Sequence, residues 1–324
     1  MKTMKAVLVV LMIVTGVIAG LFLAYGTYNK FHNTDIKSLG SPAQKEAQSA
    51  PVKKEDPAKR KAAWQLLKNG VAGELRDFRG IAAVVIKDLG KNWEINSNAD
   101  LRIASASMVK IPIMAAYIYA AREGKIDLKS MVQIRKSDFT PGSGELKFES
   151  PGREFPVEDL IVLMVTESDN TAANMLIEKM GFDTVNMYFK KIGLKFTNLS
   201  RKMMDFKERK EGVENYTTAS DMACLLEKMY RGKFIDPAAS KQCLEILACQ
   251  QVNDRIPKKL PAGIVVAHKT GLENGLCHDA GIVYAPNGNY LICVLTKHRN
   301  KTAKETKSLI ADISLLVYNY YGNF

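Results

Sequence analysis

Two rhythms of apolar positions run through this chain, and the switches between them lay out its elements. Pro57 to Phe78 carries Ala63, Trp64, Leu66, Leu67, Val71 and Leu75 at helical spacing. Gly80 to Lys87 is a β-rich run, Gly90-Lys91 a turn signal, and Asn92 to Asn96 a second short strand. Met108 to Arg122 is apolar nearly all round, which predicts a buried helix rather than a surface one. A polar, turn-rich stretch follows around Thr140-Pro141-Gly142-Ser143-Gly144. Val157 to Thr166 returns to the helical period, stops over Glu167 to Asn174, and resumes from Met175 to Met180. Lys207 to Asn215 is highly charged and reads as a loop. Thr218 to Arg231 and Pro237 to Gln250 read as helices. Val265 to Thr270, Ala280 to Ala285 and Tyr290 to Thr296 alternate as strands, the last two joined at the turn signal Pro286-Asn287-Gly288-Asn289. Thr302 to Tyr321 closes the chain as a helix with Leu309, Ile313, Leu316, Val317 and Tyr320 on one face.

Strands therefore cluster at both ends of the folded part, with helices between them. The expected class is α+β: one antiparallel sheet built from the early and late strands, flanked by the N- and C-terminal helices, beside an all-helical subdomain. A functional site would lie between the two. A parallel doubly wound sheet needs strand–helix alternation, which this order lacks.

The amino terminus departs from this pattern. Ala6 to Tyr25 is twenty residues without a charge, preceded by Lys2 and Lys5, and is long enough to span a bilayer as a helix. Residues 1–26 read as a membrane anchor, or as a signal if cleaved; Ala24-Tyr25-Gly26 is a poor small-x-small cleavage site. Residues 27–61 are rich in Lys, Ser, Ala, Pro and Glu with few large apolar groups, and read as a disordered basic tether. The folded domain is expected over 62–324. Residues 1–62 hold ten Lys/Arg against four acids, half of the chain's net +12. The basic balance is thus a feature of the segment next to the membrane, with affinity for anionic surfaces, and it argues against nucleic acid as a partner.

The five cysteines (224, 243, 249, 277 and 293) are odd in number and none sits at metal-ligand spacing, so most of them read as small buried apolar residues, and the sequence selects no disulfide pair among them. No metal or cofactor is expected.

Candidate chemistry starts at Ser107. Lys110 lies three residues on, at the mouth of the buried helix, so the two side chains share one helix face. Desolvation there disfavours the ammonium and lowers the lysine pKa, which would let its amine take a proton from the hydroxyl. A serine with a base in reach is the activated nucleophile of covalent acyl transfer.

Two further motifs follow in order: Ser168-Asp169-Asn170, 61 residues beyond Ser107, and Lys269-Thr270-Gly271, 101 residues beyond Ser168. With Ser107-x-x-Lys110 they form a trio by which the chain resembles the penicillin-recognising serine hydrolases, and most closely the class A β-lactamases. The resemblance spans about Ala62 to Phe324. It implies a serine enzyme that forms an acyl-enzyme with β-lactams, working as a monomer at the cell envelope. The alternative readings are a DD-peptidase or penicillin-binding enzyme acting on peptidoglycan stem peptides, and a non-catalytic murein-binding module. By the same resemblance Ser107 would attack the carbonyl, with Lys110 as base or relay. Ser168 would pass a proton to the leaving nitrogen, aided by Lys269. Asn170 would hold the substrate amide, and Thr270 and Lys269 would meet its carboxylate. Gly271 lets the backbone approach closely, and the amides of Ser107 and Leu272 would form the oxyanion hole. His268 and His278 flank the strand as packing or polar-lining groups.

Two departures qualify the resemblance. The family carries a Glu-x-x-x-Asn loop whose glutamate activates the deacylating water. Here Ser200 to Thr217 is shortened and rewritten, with Glu211 at the matching spacing and Asp205 as a second carboxylate. An arginine that often meets the substrate carboxylate after the third motif is absent, with Asp279-Ala280-Gly281 in that neighbourhood.

Overall fold

The computed structural model describes residues 56–299 and 302–323. The apolar segment 1–26 and nearly all of the tether lie outside the described residues, and no helix among these is long and apolar enough to cross a membrane.

The elements run α1 (Pro57–Asp77), β1 (Gly80–Asp88), β2 (Glu94–Ser97), β3 (Ile103–Ala104), a 3-10 turn (Ala106–Val109), α2 (Lys110–Arg122) and β4 (Met131–Gln133). They continue through β5 (Glu154–Pro156), α3 (Val157–Thr166), α4 (Asn170–Met180), α5 (Phe182–Ile192), α6 (Phe206–Lys210) and β6 (Tyr216–Thr217). The last are α7 (Ala219–Tyr230), α8 (Pro237–Ala248), β7 (Val265–Glu273), β8 (Leu276–Ala285), β9 (Gly288–His298) and α9 (Lys304–Gly322). The main sheet is antiparallel in the order β2-β1-β9-β8-β7, so the early and late strands do share one sheet. β3–β6 and β4–β5 are separate two-stranded pairs.

Alternation along the strands sorts the two faces. Ala82, Val84 and Ile86 of β1 and Ile292 and Val294 of β9 pack with Trp64, Leu67 and Val71 of α1 and Leu309, Ile313 and Val317 of α9. The intervening Ala83, Val85, Leu291, Cys293 and Leu295 are equally buried on the other face, where α7 packs against β1, β8 and β9. Helices on both faces explain why these strands read as continuous apolar runs.

The helix expected from Pro57 is α1, so residues 57–61, also expected in the tether, belong to the folded part: Asp56 caps the helix by accepting from the Ala58 and Lys59 amides, and buried Arg60 donates to Asp88 and to the Tyr320 hydroxyl. Partners distant in sequence, rather than local composition, order this basic turn. α5 is a helix absent from the expectations, although Val185, Tyr188, Phe189 and Ile192 mark its buried face between Gly181 and Gly193. The charged segment from Lys207 also contains α6, which carries no buried residue.

Candidate active site

The site forms where the 3-10 turn meets α2, the α3–α4 connection and β7. Ser107 lies in the second position of the turn, after Ala106 with its left-handed φ of 44°. Amides in a first helical turn have no intrahelical acceptor, so the Ser107 N–H is available to a ligand oxygen. The turn is anchored from behind by His278. The Thr296 amide donates to its Nδ1 (3.0 Å), so the proton sits on Nε2, which donates to the Ala104 carbonyl (2.9 Å). Burial pushes this imidazole down to about 4, consistent with a neutral tether.

Lys110 opens α2 and is wholly buried. Its Nζ donates to the Ser168 carbonyl (2.6 Å), to Asn170 Oδ1 (2.8 Å) and to Ser168 Oγ (3.3 Å). Burial lowers its pKa to about 7, opposed by the nearby charge of Asp169. The amine is thus poised between its two protonation states at neutral pH, as a proton shuttle requires. Its hydrogen bonds reach the second motif, joining the first two motifs through one buried nitrogen.

Ser168 adopts φ 58°, a conformation that costs energy for a residue with a side chain and is held here by its surroundings. Ser143 Oγ donates to its carbonyl (2.8 Å). Asp169 caps α4 by accepting from the Ala172 amide (2.8 Å), and its other oxygen accepts from the Leu146 amide (2.9 Å). Gly144 makes this possible: a Cβ there would fall 2.1 Å from Asp169 Oδ2, and its φ is +99°. Asn170 uses both ends of its amide, accepting from Lys110 and donating to the Pro141 carbonyl (2.9 Å).

Lys269 and Gly271 fall on the face of β7 turned to the 3-10 turn. A Cβ on Gly271 would lie 3.2 Å from Met108 Cγ and 3.1 Å from His278 Cδ2, so glycine permits this approach. Lys269 is fully buried and donates to the Thr270 carbonyl (2.9 Å). Burial first, then the charges of Lys110 and Arg255, hold its pKa well below the ordinary range, against the raising effect of Asp279. Thr270 falls on the opposite face, across the ladder from Asp279, and the half-exposed side chain of Leu272 follows at the end of the strand. His268 is engaged by Asp279 Oδ1 (2.8 Å) and Asn253 Oδ1 (3.1 Å), and His278 by backbone, so neither ring is spare for a serine–histidine pair.

Three separated stretches supply the eight predicted site residues: Lys110 bonds Ser168 and Asn170, Gly271 packs beside the turn that carries Ser107, and Lys269 senses the charge of Lys110, while Thr270 lies on the other face of β7 and Leu272 at its end. Sequence reasoning missed Arg255. It is buried, its Nε lies 3.2 Å from Cys277 Sγ, and its charge bears on Lys269. It lies over β8 on the sheet face of Thr270, paired with Asp254 (3.0 Å), and it comes from the segment before β7, not after it. An arginine in a polar connection gave no signal of this.

The carboxylates expected to hold a deacylating water stand elsewhere. Glu211 is exposed at the C-terminal end of α6, and Asp205 caps the same helix by accepting from the Glu208 amide (3.1 Å). Among the described residues neither bonds to Ser107, Lys110, Ser168 or Asn170. The loop presents methionine instead. Asn174 clamps the Met203 backbone from both sides (2.7 and 3.1 Å), and Met204 packs over Gly142, beside Asn170.

Fold and site together define a penicillin-recognising serine hydrolase. Residues 66–321 match the model of the family described as Beta-lactamase enzyme family. VEB-1, a β-lactamase of Pseudomonas aeruginosa, is 27% identical over 258 residues, covering 74% of this chain and 85% of that protein. A β-lactamase structure from Sphaerobacter thermophilus superposes with a TM-score of 0.73 at 31% identity, over 81% of this chain and 98% of the other. PBP-A, of which a variant is also known as an acyl-enzyme complex with penicillin G, gives a TM-score of 0.72 at 28% identity over 81% and 97%. The chain belongs to the beta-lactamase enzyme family. It is a β-lactamase-type serine hydrolase.

Proposed function

We propose that the protein opens β-lactams through an acyl-enzyme on Ser107 and hydrolyses that ester slowly. The observation that carries the first step is the buried Lys110 amine, poised near neutrality and bonded to Ser168. In the proposed reaction Ser107 Oγ attacks the lactam carbonyl carbon while its proton passes to the Lys110 amine. The oxyanion is held by the Ser107 and Leu272 amides. The carbon–nitrogen bond then breaks, and the proton passes from Lys110 through Ser168 to the leaving nitrogen, with Lys269 aiding that transfer. Thr270, Lys269 and the field of Arg255 receive the substrate carboxylate. Water finally cleaves the ester and restores the serine. Asn170 would have to exchange its contact with Pro141 for one with the substrate amide.

Slow hydrolysis follows from the loop. With Met204 beside Asn170, and Asp205 and Glu211 placed at the two ends of α6, the water has no second base among the described residues, a deficit of about 10²- to 10⁴-fold in rate. The N-terminal apolar segment would hold this domain, as a monomer, at the outer side of the cell membrane, where β-lactams and peptidoglycan stem peptides are met. A fluorescent penicillin should label Ser107, as read by mass spectrometry, and a chromogenic cephalosporin should show a single-turnover phase far faster than the steady state. Labelling elsewhere, or none, sinks the acyl-enzyme reading. A steady state as fast as the first turnover sinks the slow ester.

A further inference from the structure

Glu273 ends β7 one residue beyond Leu272, and its carboxylate belongs to a cluster of four alternating charges. Arg201 Nη2 lies 2.7 Å from Glu214 Oε1 and 3.4 Å from Glu273 Oε1. Arg209 Nε lies 3.0 Å from Glu214 Oε2, and its Nη1 lies 2.5 Å from Glu273 Oε2. The side chains of Arg201, Glu214 and Glu273 are 1%, 7% and 7% exposed, and that of Arg209 31%. Charges this deeply placed are poorly screened and costly to separate, so the cluster is a stiff joint rather than a loose surface pair.

The joint connects two walls of the site. Arg201, Arg209 and Glu214 span the loop that carries Met203 and Met204. Glu273 carries the tip of β7, an edge strand hydrogen-bonded on one side by β8 and turning back through the two residues Asn274 and Gly275. Among the described residues no strand pairs with the free side of that tip, and Leu272 precedes it directly.

We infer that Glu273 and Arg209 are positioning residues: through this cluster the 201–214 loop holds the end of β7, and with it the Leu272 amide, at the place where the oxyanion forms. The inference rests on the reading of Leu272 as an oxyanion donor. Removing one such donor costs about 10²- to 10³-fold in rate, so displacing one should cost part of that.

The test measures acylation of the full chain by a chromogenic cephalosporin in single turnovers, separating the acylation rate constant from the dissociation constant of the initial complex. Glu273→Gln should lower the rate constant roughly tenfold with little change in that dissociation constant, because the oxyanion exists only beyond the ground state. Arg209→Gln, at a partly exposed position that tolerates change, should give a similar loss. The double variant should be no slower than the worse single one, since residues acting as a unit are not additive. Glu273→Asp should recover part of the rate. Wild-type rates in the folded single variants, multiplying losses in the double, or a loss confined to initial affinity would overturn the inference while Ser107 still acylates. If the wild type does not acylate Ser107 at all, the parent reading falls and this one with it.

Discussion

Replacing Lys110 by methionine tests the centre of the site, because it keeps the aliphatic stem and removes only the amine. Three hydrogen bonds go with it: to the Ser168 carbonyl, Ser168 Oγ and Asn170 Oδ1. The Ser168 carbonyl keeps Ser143 as a donor, so Asn170 Oδ1 is the main orphan, worth about 1–3 kcal/mol of lost stability. An opposing term comes from the charge. The folded-state pKa of Lys110 is lowered to about 7, while in the unfolded chain it takes the ordinary value near 10.4. The unfolded state therefore binds more protons, and burying this lysine costs stability in full below about pH 7. That cost fades as the pH rises toward 10, so Lys110→Met should compare best with wild type in acid and worst in base. For activity, losing a general base predicts a fall in acylation of about 10²- to 10⁴-fold. In the wild type acylation should climb with pH as the amine loses its proton, reaching roughly a tenth of its plateau one unit below a pKa of about 7. Stopped-flow acylation with a chromogenic cephalosporin from pH 5.5 to 8.5 gives the profile, and thermal melts of both proteins give the linkage. A flat pH profile, or a Lys110→Arg variant acylating at the wild-type rate, would refute the neutral-amine argument.

Four further outcomes follow from other parts of the molecule. Gly144→Ala drives a methyl into Asp169 at a φ of +99° and should destabilise the fold by about 2–4 kcal/mol in urea titrations, with acylation falling alongside. Glu211→Gln should leave acyl-enzyme lifetime unchanged, since the carboxylate is exposed at a helix end; a trapped acyl-enzyme would return Glu211 to the site. Asp205→Ala should cost about 1 kcal/mol as a lost helix cap, seen as a lower urea midpoint. Arg60→Met leaves Asp88 buried without its guanidinium and should cost about 3–5 kcal/mol, with acylation by the remaining folded protein unaltered.

What the sequence determined by itself was the set of parts. Helical period gave α3 over its whole length, and the β-rich early and late runs gave the strands of one sheet, because periodicity records which face is buried. The three motifs placed Ser107, Lys110, Ser168 and Lys269 in a common site, since each motif is a short local pattern that survives unaided reading. What only the tertiary structure decided were the partners. Arg60 looks like one more charge in a basic tether until Asp88 and Tyr320 meet it from 28 and 260 residues away. Arg255 looks like a loop residue until β8 folds against it and its charge falls beside Lys269. Glu211 has the spacing of a water-activating carboxylate, yet Asp205 starts a short helix there and leaves Glu211 in solvent, while Asn174 holds the Met203 backbone. The reason is the same in each case: burial and charge pairing depend on distances through space, and a local pattern fixes those only along one element.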